Sequence, residues 1–326
     1  MAKIAMASVI KEFGGPEVLA PSEFKLPHIG SKQVLIRMKA AGINEVEQKM
    51  RRGQFRFAQP PFVIGIDGAG VIEETGNEVT KFKKGDRVFF MKPDTGSYST
   101  LCLAPEDNVY HLHKNLTFEE GAILPVPYMT AHRALLQLGK IKQGDFVLVQ
   151  GGSGAVGLAA IQIAKGLGAS RVISTAGTEE GIQLAYEHGA DVVRNYKSPD
   201  FKQTLKDDVG SGLNLILETN ADVNFDLDLD LIARHGKIVI VGKRGPCQCD
   251  IGKVLSKETT ILGCALLYAA TENRQDSADA LYRYIEAGWL KPFVGKIYKL
   301  DEAPQSHVDM TSRKGAMGKD VISIEK

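Results

Sequence analysis

Apolar residues in the first 124 positions occur in short runs that turn-forming residues separate. Three such runs lie at 34–36, 70–72 and 86–90, and glycine, proline and aspartate residues are frequent between them. This pattern is typical of β-strands joined by tight turns. The first part of the chain is therefore predicted to be rich in β-structure.

A short helix is predicted to begin at Thr117, because Thr117 and Glu120 have the spacing of a capping box. Pro125 and Pro127 are predicted to stop this helix, since proline lacks the N–H that a helix interior requires. A second helix is predicted over residues 129–138.

From about residue 143 onward the pattern alternates between strands and helices. Apolar runs predict strands at 146–149, 172–174, 191–193, 213–217, 237–241 and 260–266. Helical patterns lie at 158–167, 181–187 and 199–208, and another lies between the fourth and fifth strands. This alternation predicts an α/β fold, a doubly wound parallel sheet with helices on both faces. A helix at 277–287 and strand-like runs at 294–300 and 321–324 are expected to belong to the β-rich domain at the start of the chain.

A glycine-rich loop follows the first strand of the alternating region and leads into its first helix. Gly152, Gly154 and Gly157 have the G-x-G-x-x-G spacing of a dinucleotide cradle. Gly152 is expected to permit the tight turn, Gly154 to leave room for a pyrophosphate, and Gly157 to let the helix pack closely. The amino end of the helix would then offer N–H groups to the phosphates. A purely structural turn is the alternative interpretation.

The end of the second strand indicates which dinucleotide would bind. NAD-specific folds usually carry an acidic residue there, about 20 residues beyond the glycines, to bind the ribose. Here the stretch from Thr175 to Thr178, which includes Gly177, is small and uncharged. Lys197, after the third strand, is a candidate partner for a 2′-phosphate, with a solvated surface lysine as the alternative. Such a charge-assisted contact contributes about 1.5–3 kcal/mol, so NADPH is the expected cofactor.

Overall charge and cysteine content exclude several classes of protein. The chain has 40 Lys plus Arg against 39 Asp plus Glu, which gives no excess of cations for a nucleic-acid or membrane surface. No stretch approaches the roughly 20 apolar residues that a membrane span needs. The four cysteines are scattered, and the amino-terminal stretch lacks the features of a targeting signal. A cytoplasmic protein is therefore expected.

No metal site is expected. Zinc-dependent alcohol dehydrogenases of this layout carry a Gly-His-Glu motif, and here Ile66 and Asp67 stand where the histidine and glutamate would be. Isoleucine cannot bind a metal ion. Cys247 and Cys249 form a C-x-C pair with no second pair at ligand spacing.

Specific segments connect these features to a known family. Residues 175–181, Thr-Ala-Gly-Thr-Glu-Glu-Gly, and 288–292, Gly-Trp-Leu-Lys-Pro, are the most specific, and residues 12–19, 41–44, 82–88, 127–135 and 241–245 match as well. With these segments the chain resembles zeta-crystallin and the related NADPH:quinone oxidoreductases, zinc-independent members of the medium-chain dehydrogenases/reductases. The resemblance implies a GroES-like catalytic domain of residues 1–124 and 268–326, and a Rossmann domain of residues 125–267 that binds NADPH.

The resemblance also implies the site residues. Asn44 and Thr130 match positions near the nicotinamide, and Tyr128 is a candidate site wall or proton donor. A satisfied loop asparagine and a buried core tyrosine are the alternatives for Asn44 and Tyr128. The residues expected to contact the cofactor are Lys49, Gly152, Ser153, Gly154, Ala155, Val156, Gly157, Thr175, Gly177, Tyr196, Lys197, Asp222, Ile240, Val241, Gly242, Lys243, Ala265, Leu266 and Leu267.

Four positions depart from the family pattern. The family often has Asn-Pro where this chain has Asn44-Glu45, and a tyrosine lining the site where this chain has Lys49. Lys243 replaces a small polar residue, and Asp222 replaces an asparagine. A lysine at position 49 would attract an anionic acceptor or point to solvent.

The expected function is NADPH-dependent reduction of quinones, by hydride or one-electron transfer, without a metal. Reduction of activated double bonds in enals or enones is the nearest alternative. A binding protein is the alternative from another class, because members of this family also serve as lens crystallins and RNA binders. Cations available for RNA are Lys49, Arg51, Arg52, Arg56, Lys243 and Arg244. The apolar sixth strand is a potential bare sheet edge, so a homodimer or homotetramer is expected.

Overall fold

The computed structural model describes residues 3–54, 59–313 and 315–324. These residues form two compact units. Unit 1 comprises the described residues up to Val126, then Pro292–Arg313 and those from Lys319 onward. Unit 2 comprises Pro127–Lys291 and the described residues 315–318. Within the described ranges, no helix is both long and apolar enough to cross a membrane.

The described residues up to Val126 are mostly strands. In chain order these elements are β1 (Ile4–Ile10), β2 (Pro21–Lys25), β3 (Gln33–Gly42), α1 (Glu45–Arg51), β4 (Phe62–Val63), β5 (Asp67–Thr75), β6 (Arg87–Met91), β7 (Leu101–Pro105), β8 (Val109–His111) and α2 (Phe118–Ala122).

Strands and helices alternate in the middle of the chain. These elements are α3 (Met129–His132), β9 (Phe146–Val149), α4 (Ala155–Gly166), β10 (Arg171–Ala176), α5 (Glu179–Glu187), β11 (Val192–Asn195), α6 (Phe201–Val209), β12 (Leu213–Glu218), α7 (Ala221–Leu231), β13 (Ile232–Ile240), α8 (Ile251–Lys257), β14 (Thr260–Gly263) and α9 (Thr271–Glu286). The last elements are β15 (Val294–Lys299), α10 (Ala303–Ser312) and β16 (Lys319–Ser323).

Unit 1 is built on a sheet whose strand order is β15-β16-β3-β5-β6-β8, with β7 also paired to β3. A smaller sheet has the order β2-β1-β4. Ile36, Phe90 and Tyr98 are among the buried side chains that form the core. In the register of β3, Ala41 lies opposite both Gly68 of β5 and Ile322 of β16. The end of β3, the start of β5 and the strand β16 therefore meet at one place.

Unit 2 contains a six-stranded sheet in the order β11-β10-β9-β12-β13-β14. All five strand pairs are parallel. This is the 3-2-1-4-5-6 order of a doubly wound dinucleotide fold, so the predicted fold class is confirmed. In such sheets a ligand binds at the carboxyl ends of the strands, where the order reverses between the first and fourth strands, here β9 and β12.

The helix α2 ends at Ala122, before the prolines that were predicted to stop it, and α3 begins at Met129 as predicted. Thr117 caps α2 with the predicted capping box, but Leu124–Tyr128 forms a π-helical turn that includes Pro125 and Pro127 and leads directly into α3. A wide turn accommodates a residue that has no N–H to donate.

The helix α9 belongs to unit 2, whereas the sequence analysis placed residues from 268 onward with the first domain. His132 Nδ1 and the Ser277 hydroxyl lie 2.9 Å apart, within hydrogen-bonding distance. The Lys291 N–H donates to Gln162 Oε1 at 2.8 Å. These contacts tie α9 and the residues after it to α3 and α4, which explains why unit 2 extends to Lys291.

Candidate functional site

The loop between β9 and α4 is held against the end of β10. Gly151 has a φ of 74°, in the left-handed region that favours glycine. Its N–H donates to the Thr175 hydroxyl at 3.0 Å, and the Gly152 N–H donates to the Thr175 carbonyl at 2.7 Å. A Cβ on Gly152 would overlap the Ser174 hydroxyl. The left-handed residue of the turn is therefore Gly151, whereas the sequence analysis assigned the tight turn to Gly152.

Gly154 and Gly157 have different surroundings. A Cβ on Gly154 would meet the Gly151 oxygen at 3.4 Å and Ala316 Cβ at 3.5 Å, both ordinary van der Waals distances. A Cβ on Gly157 would overlap the Gly151 oxygen and lie 2.7 Å from Gly152 Cα. Gly157 is thus required by the loop itself, while Gly154 leaves room for something else.

The amino end of α4 is suited to an anion. The N-cap residue of this helix is Gly154, which supplies no side-chain cap, and Gly154, Ala155 and Val156 are only partly buried. The carbonyl of the buried Ser153 accepts a hydrogen bond from the Gly318 N–H at 2.9 Å, which fixes the loop from its other side. Free N–H groups and the helix dipole at such an end favour phosphate groups. These residues therefore fit the pyrophosphate of a dinucleotide.

The ends of β10 and β11 bring together Gly177, Tyr196 and Lys197. A Cβ on Gly177 would overlap the Tyr196 ring, so that ring lies across the glycine. Lys197 Nζ is 5.9 Å from the centre of the same ring. Thr175 is buried, and its hydroxyl donates to Gln150 Oε1 at 2.9 Å. An exposed aromatic ring and a cation thus stand beside a strand end that carries no acid.

The ends of β12, β13 and β14 continue the same edge of the sheet. The Asp222 carboxylate accepts a hydrogen bond from the Arg244 N–H at 2.8 Å, which lowers the pKa of Asp222. A Cβ on Gly242 would overlap the Thr219 carbonyl, so this turn packs closely on the neighbouring strand end. The other predicted residues of this edge are Ile240, Val241, Lys243, Ala265, Leu266 and Leu267.

Tyr128 and Thr130 lie in the helical segment that ends in α3. Tyr128 is 2% exposed and Thr130 6% exposed. The Cys264 thiol lies 3.9 Å from the Thr130 carbonyl oxygen, which brings Thr130 close to the start of the predicted contact segment 265–267.

Asn44 belongs to a buried polar cluster in unit 1. Its amide oxygen accepts a hydrogen bond from Lys319 Nζ at 2.9 Å, and its amide nitrogen donates to Asp67 Oδ1 at 2.8 Å and to Glu47 Oε1 at 3.1 Å. Lys319 also donates to Asp67 Oδ2 at 2.5 Å, and both side chains of this ion pair are at most 4% exposed. Asn44 is therefore neither exposed nor merely a loop residue, because it links a buried lysine to two acids.

Tyr98 and His307 extend the cluster through Glu47. The Tyr98 hydroxyl donates to Glu47 Oε2 at 2.8 Å and lies 3.4 Å from His307 Nε2. Burial, and then the Asp67 carboxylate, raises the pKa of Glu47 to about 7. Burial, followed by the charges of Arg51 and Arg52, lowers the pKa of His307 to about 3. His307 is therefore neutral at pH 7, and Glu47 is poised between its two protonation states.

The described cations predicted in unit 1 differ in exposure. Arg51 is fully buried, and its guanidinium donates to the Gly14 carbonyl at 2.5 Å. It is therefore not available to an RNA partner, which corrects the sequence analysis for this residue. Lys49 is exposed on α1, apart from the buried cluster, and Arg56 lies outside the described residues.

Comparisons with known proteins agree with this geometry. Residues 155–282 match the family described as zinc-binding dehydrogenase, and residues 30–123 match the alcohol dehydrogenase GroES-like domain. The chain is 41% identical to a quinone oxidoreductase of Mus musculus, over 99% of this chain and 98% of that protein. The chain belongs to the quinone oxidoreductase family. The resemblance stated from the sequence is thereby confirmed, and the chain is an oxidoreductase.

Solved structures of family members extend the comparison. The Escherichia coli quinone oxidoreductase complexed with NADPH has a TM-score of 0.89 and 27% identity, with 99% of this chain and 100% of that chain covered. A mycobacterial protein complexed with NADPH has a TM-score of 0.89 and 30% identity, with 98% and 100% covered.

The residues of this family member do not fit the zinc ion that one family description names. Asp67, at the position of a potential ligand, is already occupied by the Lys319 ammonium group. Ile66 carries no donor, and its backbone N–H donates to Glu47 at 3.0 Å. Among residues 3–54, 59–313 and 315–324, no group of three His, Cys, Asp or Glu side chains is arranged to hold a metal ion.

Several residues of the site were missed by the sequence analysis. Lys319 is separated from Asn44 by 275 positions, and Tyr98 is separated from Glu47 by 51, so no local motif connects them. The sequence analysis assigned no role to Gln150, which directly precedes the glycines and is almost fully buried. The one available signal was Glu47, since Asn44 and Glu47 have the spacing of a helix-capping pair.

Proposed function

We propose that this chain reduces quinones at the expense of NADPH, without a metal ion. Family membership supports the reaction class. The amino end of α4, next to the end of β10 where no acidic residue stands, supports NADPH as the cofactor. The observation that carries the proposal is Gly154, where an added Cβ would make only ordinary contacts and where the first turn of α4 is partly exposed. When bound, NADPH supplies the reducing equivalents, and a quinone is electrophilic enough to accept them directly.

The residues of unit 2 hold the cofactor in this proposal. The loop of Gly152, Ser153 and Gly154 and the first turn of α4, with Ala155 and Val156, bind the pyrophosphate. Tyr196 and Lys197, next to Gly177, bind the 2′-phosphate, where no carboxylate repels it. Further contacts come from Asp222, from residues 240–243 and from residues 265–267. Thr175 contributes indirectly, since its hydroxyl binds the loop rather than facing outward.

Asn44, Thr130 and Tyr128 are proposed to act near the nicotinamide and the acceptor. Both amide hydrogens of Asn44 are engaged by Asp67 and Glu47, while its oxygen accepts one hydrogen bond, from Lys319. An amide oxygen has two lone pairs, so Asn44 would accept a hydrogen bond from the cofactor carboxamide rather than donate one. Positioning of this kind is the main contribution that the protein makes to such a transfer.

The direct test is NADPH oxidation by the purified protein with an ortho-quinone or with an alkenal as the acceptor. Faster turnover with the quinone supports the proposal. Turnover with the alkenal alone would identify a double-bond reductase instead. Turnover with neither acceptor would contradict the proposed reaction.

Gly154→Ala tests the contribution of the glycine loop to NADPH binding. The added methyl group fits the protein alone, so the free energy of unfolding should fall by at most about 1 kcal/mol, the cost of a poorer helix cap. The same methyl group occupies the place of the pyrophosphate and displaces charge-assisted hydrogen bonds. We expect the dissociation constant for NADPH, measured by fluorescence titration, to rise by roughly tenfold or more. Unchanged affinity in the folded variant would contradict the proposed position of the pyrophosphate.

We also propose that the chain forms a homodimer, or a dimer of dimers, through the edge of β14. Within the described part of the chain, β14 pairs only with β13. Apolar side chains near this edge are exposed, among them Ile261 (37%), Leu255 (81%) and Tyr268 (76%). An uncharged sheet edge flanked by apolar residues favours pairing with a second copy.

Light scattering at micromolar concentration should give a multiple of the 35.4 kDa chain mass. Ile261→Lys should shift the protein toward the monomer, because it introduces a charge at the paired edge. Ile297→Lys, at an exposed position of β15, is the control and should leave the mass unchanged. A monomeric mass for the parent protein would contradict the proposed interface.

A further inference from the structure

A pair of buried acids lies beneath the glycine loop, and the mechanism proposed above does not use it. Glu218 at the end of β12 and Asp228 on α7 are both completely buried. One oxygen of each carboxyl group, Glu218 Oε2 and Asp228 Oδ2, is buried without a hydrogen-bond donor among the described residues. Burial raises the pKa of both groups, and the Glu218 charge raises that of Asp228 further, so a proton shared between them satisfies both oxygens.

A continuous chain of hydrogen bonds runs from this pair to the glycine loop. Gln150 Nε2 donates to Asp228 Oδ1 at 2.9 Å, and Gln150 Oε1 accepts from the Thr175 hydroxyl at 2.9 Å. The Thr175 hydroxyl in turn accepts from the Gly151 N–H at 3.0 Å. Asp228, Gln150 and Thr175 are each at most 1% exposed, so water does not substitute for these bonds.

The other acid of the pair holds the neighbouring strand end. Glu218 Oε1 accepts from the Asn220 N–H, and Asn224 donates to the same oxygen at 3.3 Å. The Thr219 hydroxyl donates to the Gln150 carbonyl at 3.0 Å. The ends of β9, β10 and β12 are therefore joined by one buried network, at the edge of the sheet where the cofactor is proposed to bind.

We propose that Gln150, Thr175 and the proton-sharing pair Glu218–Asp228 position the phosphate-binding loop, and that loss of the shared proton weakens binding of the dinucleotide. This inference rests on the proposed function. With the proton present, the pair carries one negative charge, and the loop faces the phosphates in the geometry described above. Without it, two like charges repel each other in the interior, and their added negative charge opposes the phosphates.

The direction of the pH dependence follows from the environment of the pair. Burial raises the pKa of both carboxyl groups, and the negative charge of Glu218 raises the pKa of Asp228 further, whereas the hydrogen bond to Asp228 lowers the pKa of Glu218. A carboxyl group with a raised pKa keeps its proton at low pH and loses it as the pH rises. Affinity for NADPH should therefore be highest near neutral pH and fall as the solution becomes alkaline.

Other charged groups near the pair do not account for such a decline. On α7 itself, Asp222 adds repulsion toward Glu218, but its own pKa is lowered, so it is already ionised at neutral pH. Lys206 of α6 and Lys253 of α8 are ion-paired with Asp230 and Asp226. The pKa of Lys253 is raised to about 12, so this lysine stays charged throughout the relevant range.

The experiment is a titration of NADPH at pH 6, 7, 8 and 9 and constant ionic strength, with the parent protein and Asp228→Asn. Asparagine keeps the acceptor for Gln150 and the donor toward Glu218, but it has no proton to lose. For the parent, we expect affinity to fall on the order of tenfold at the alkaline end. For Asp228→Asn, we expect affinity within about twofold of the parent at pH 7 and little decline to pH 9.

Asp226→Asn is the matched control, since Asp226 is a half-exposed acid on the same helix, paired with Lys253. It should decline with pH as the parent does. A flat profile for the parent, or an equal decline in Asp228→Asn, would overturn the inference. If Asp228→Asn does not fold, Glu218→Gln takes its place, with the same flat profile expected. Absence of binding by the parent for both NADPH and NADH at every pH would instead refute the cofactor assignment.

Discussion

Lys319→Met is expected to lower the free energy of unfolding by about 3–5 kcal/mol, the usual cost of removing one partner of a buried ion pair. Lys319 Nζ is the only cation within 4 Å of the fully buried Asp67 carboxylate among the described residues. Methionine has a similar length but leaves that carboxylate charged and unpaired in the interior. Asn44 would lose the donor to its amide oxygen as well. Urea denaturation followed by circular dichroism measures the change.

Two further variants separate the charge effect from a packing effect. Lys296→Met removes an exposed ion pair with Asp309 from neighbouring β15, and it should cost at most about 1 kcal/mol. Adding Asp67→Asn to Lys319→Met removes the stranded charge, so the double variant should be more stable than the single one. A loss below 1 kcal/mol for Lys319→Met would show that the buried cluster is not held together by this pair.

Gly157→Ala is expected to abolish high-affinity NADPH binding and to destabilise unit 2. A Cβ at this position would overlap the Gly151 carbonyl and lie 2.7 Å from Gly152 Cα. Both contacts are with the backbone of the phosphate loop, which has no side-chain rotamer available for relief. Overpacking of this kind typically costs about 1–3 kcal/mol. The loop must shift, and the hydrogen bonds that orient its N–H groups toward a phosphate shift with it.

The single tryptophan makes this prediction convenient to test. Trp289 lies in unit 2, where its ring packs against Gly166 of α4, so its fluorescence follows the unfolding of this unit. Gly154→Ala is the comparison, since it should weaken binding with little change in stability. Equal stability and equal affinity of Gly157→Ala and the parent would mean that the loop tolerates a side chain at its most crowded position.

The fold of unit 2 could be predicted largely because its determinants are local. Short apolar runs alternate with helical patterns, and each strand that was predicted between residues 146 and 266 is present. The helices α1, α8 and α10 were not predicted. α8 has apolar residues at 251, 254 and 255, but it is only seven residues long, too short for a helical pattern to stand out. Pro125 and Pro127 marked the end of α2 correctly, but the π-helical turn that contains them was not predicted.

The candidate site was predictable only in part for the same reason. The glycine loop and the acid-free end of β10 can be read from adjacent residues. The partners of Asn44 come from β5, β16 and α1, and those of Gln150 come from β10 and α7. Sheet register and helix packing bring these residues together, and a single sequence contains no pattern that relates them.

The proposed cofactor site can be tested by titrating the purified protein with NADPH and, separately, with NADH. We expect saturable binding of NADPH that is about tenfold or more tighter than that of NADH, because the 2′-phosphate meets Lys197 and no opposing carboxylate. Saturable binding of NADH with equal or higher affinity would contradict the predicted preference. Binding of neither would contradict the assignment of the glycine loop as a cofactor site.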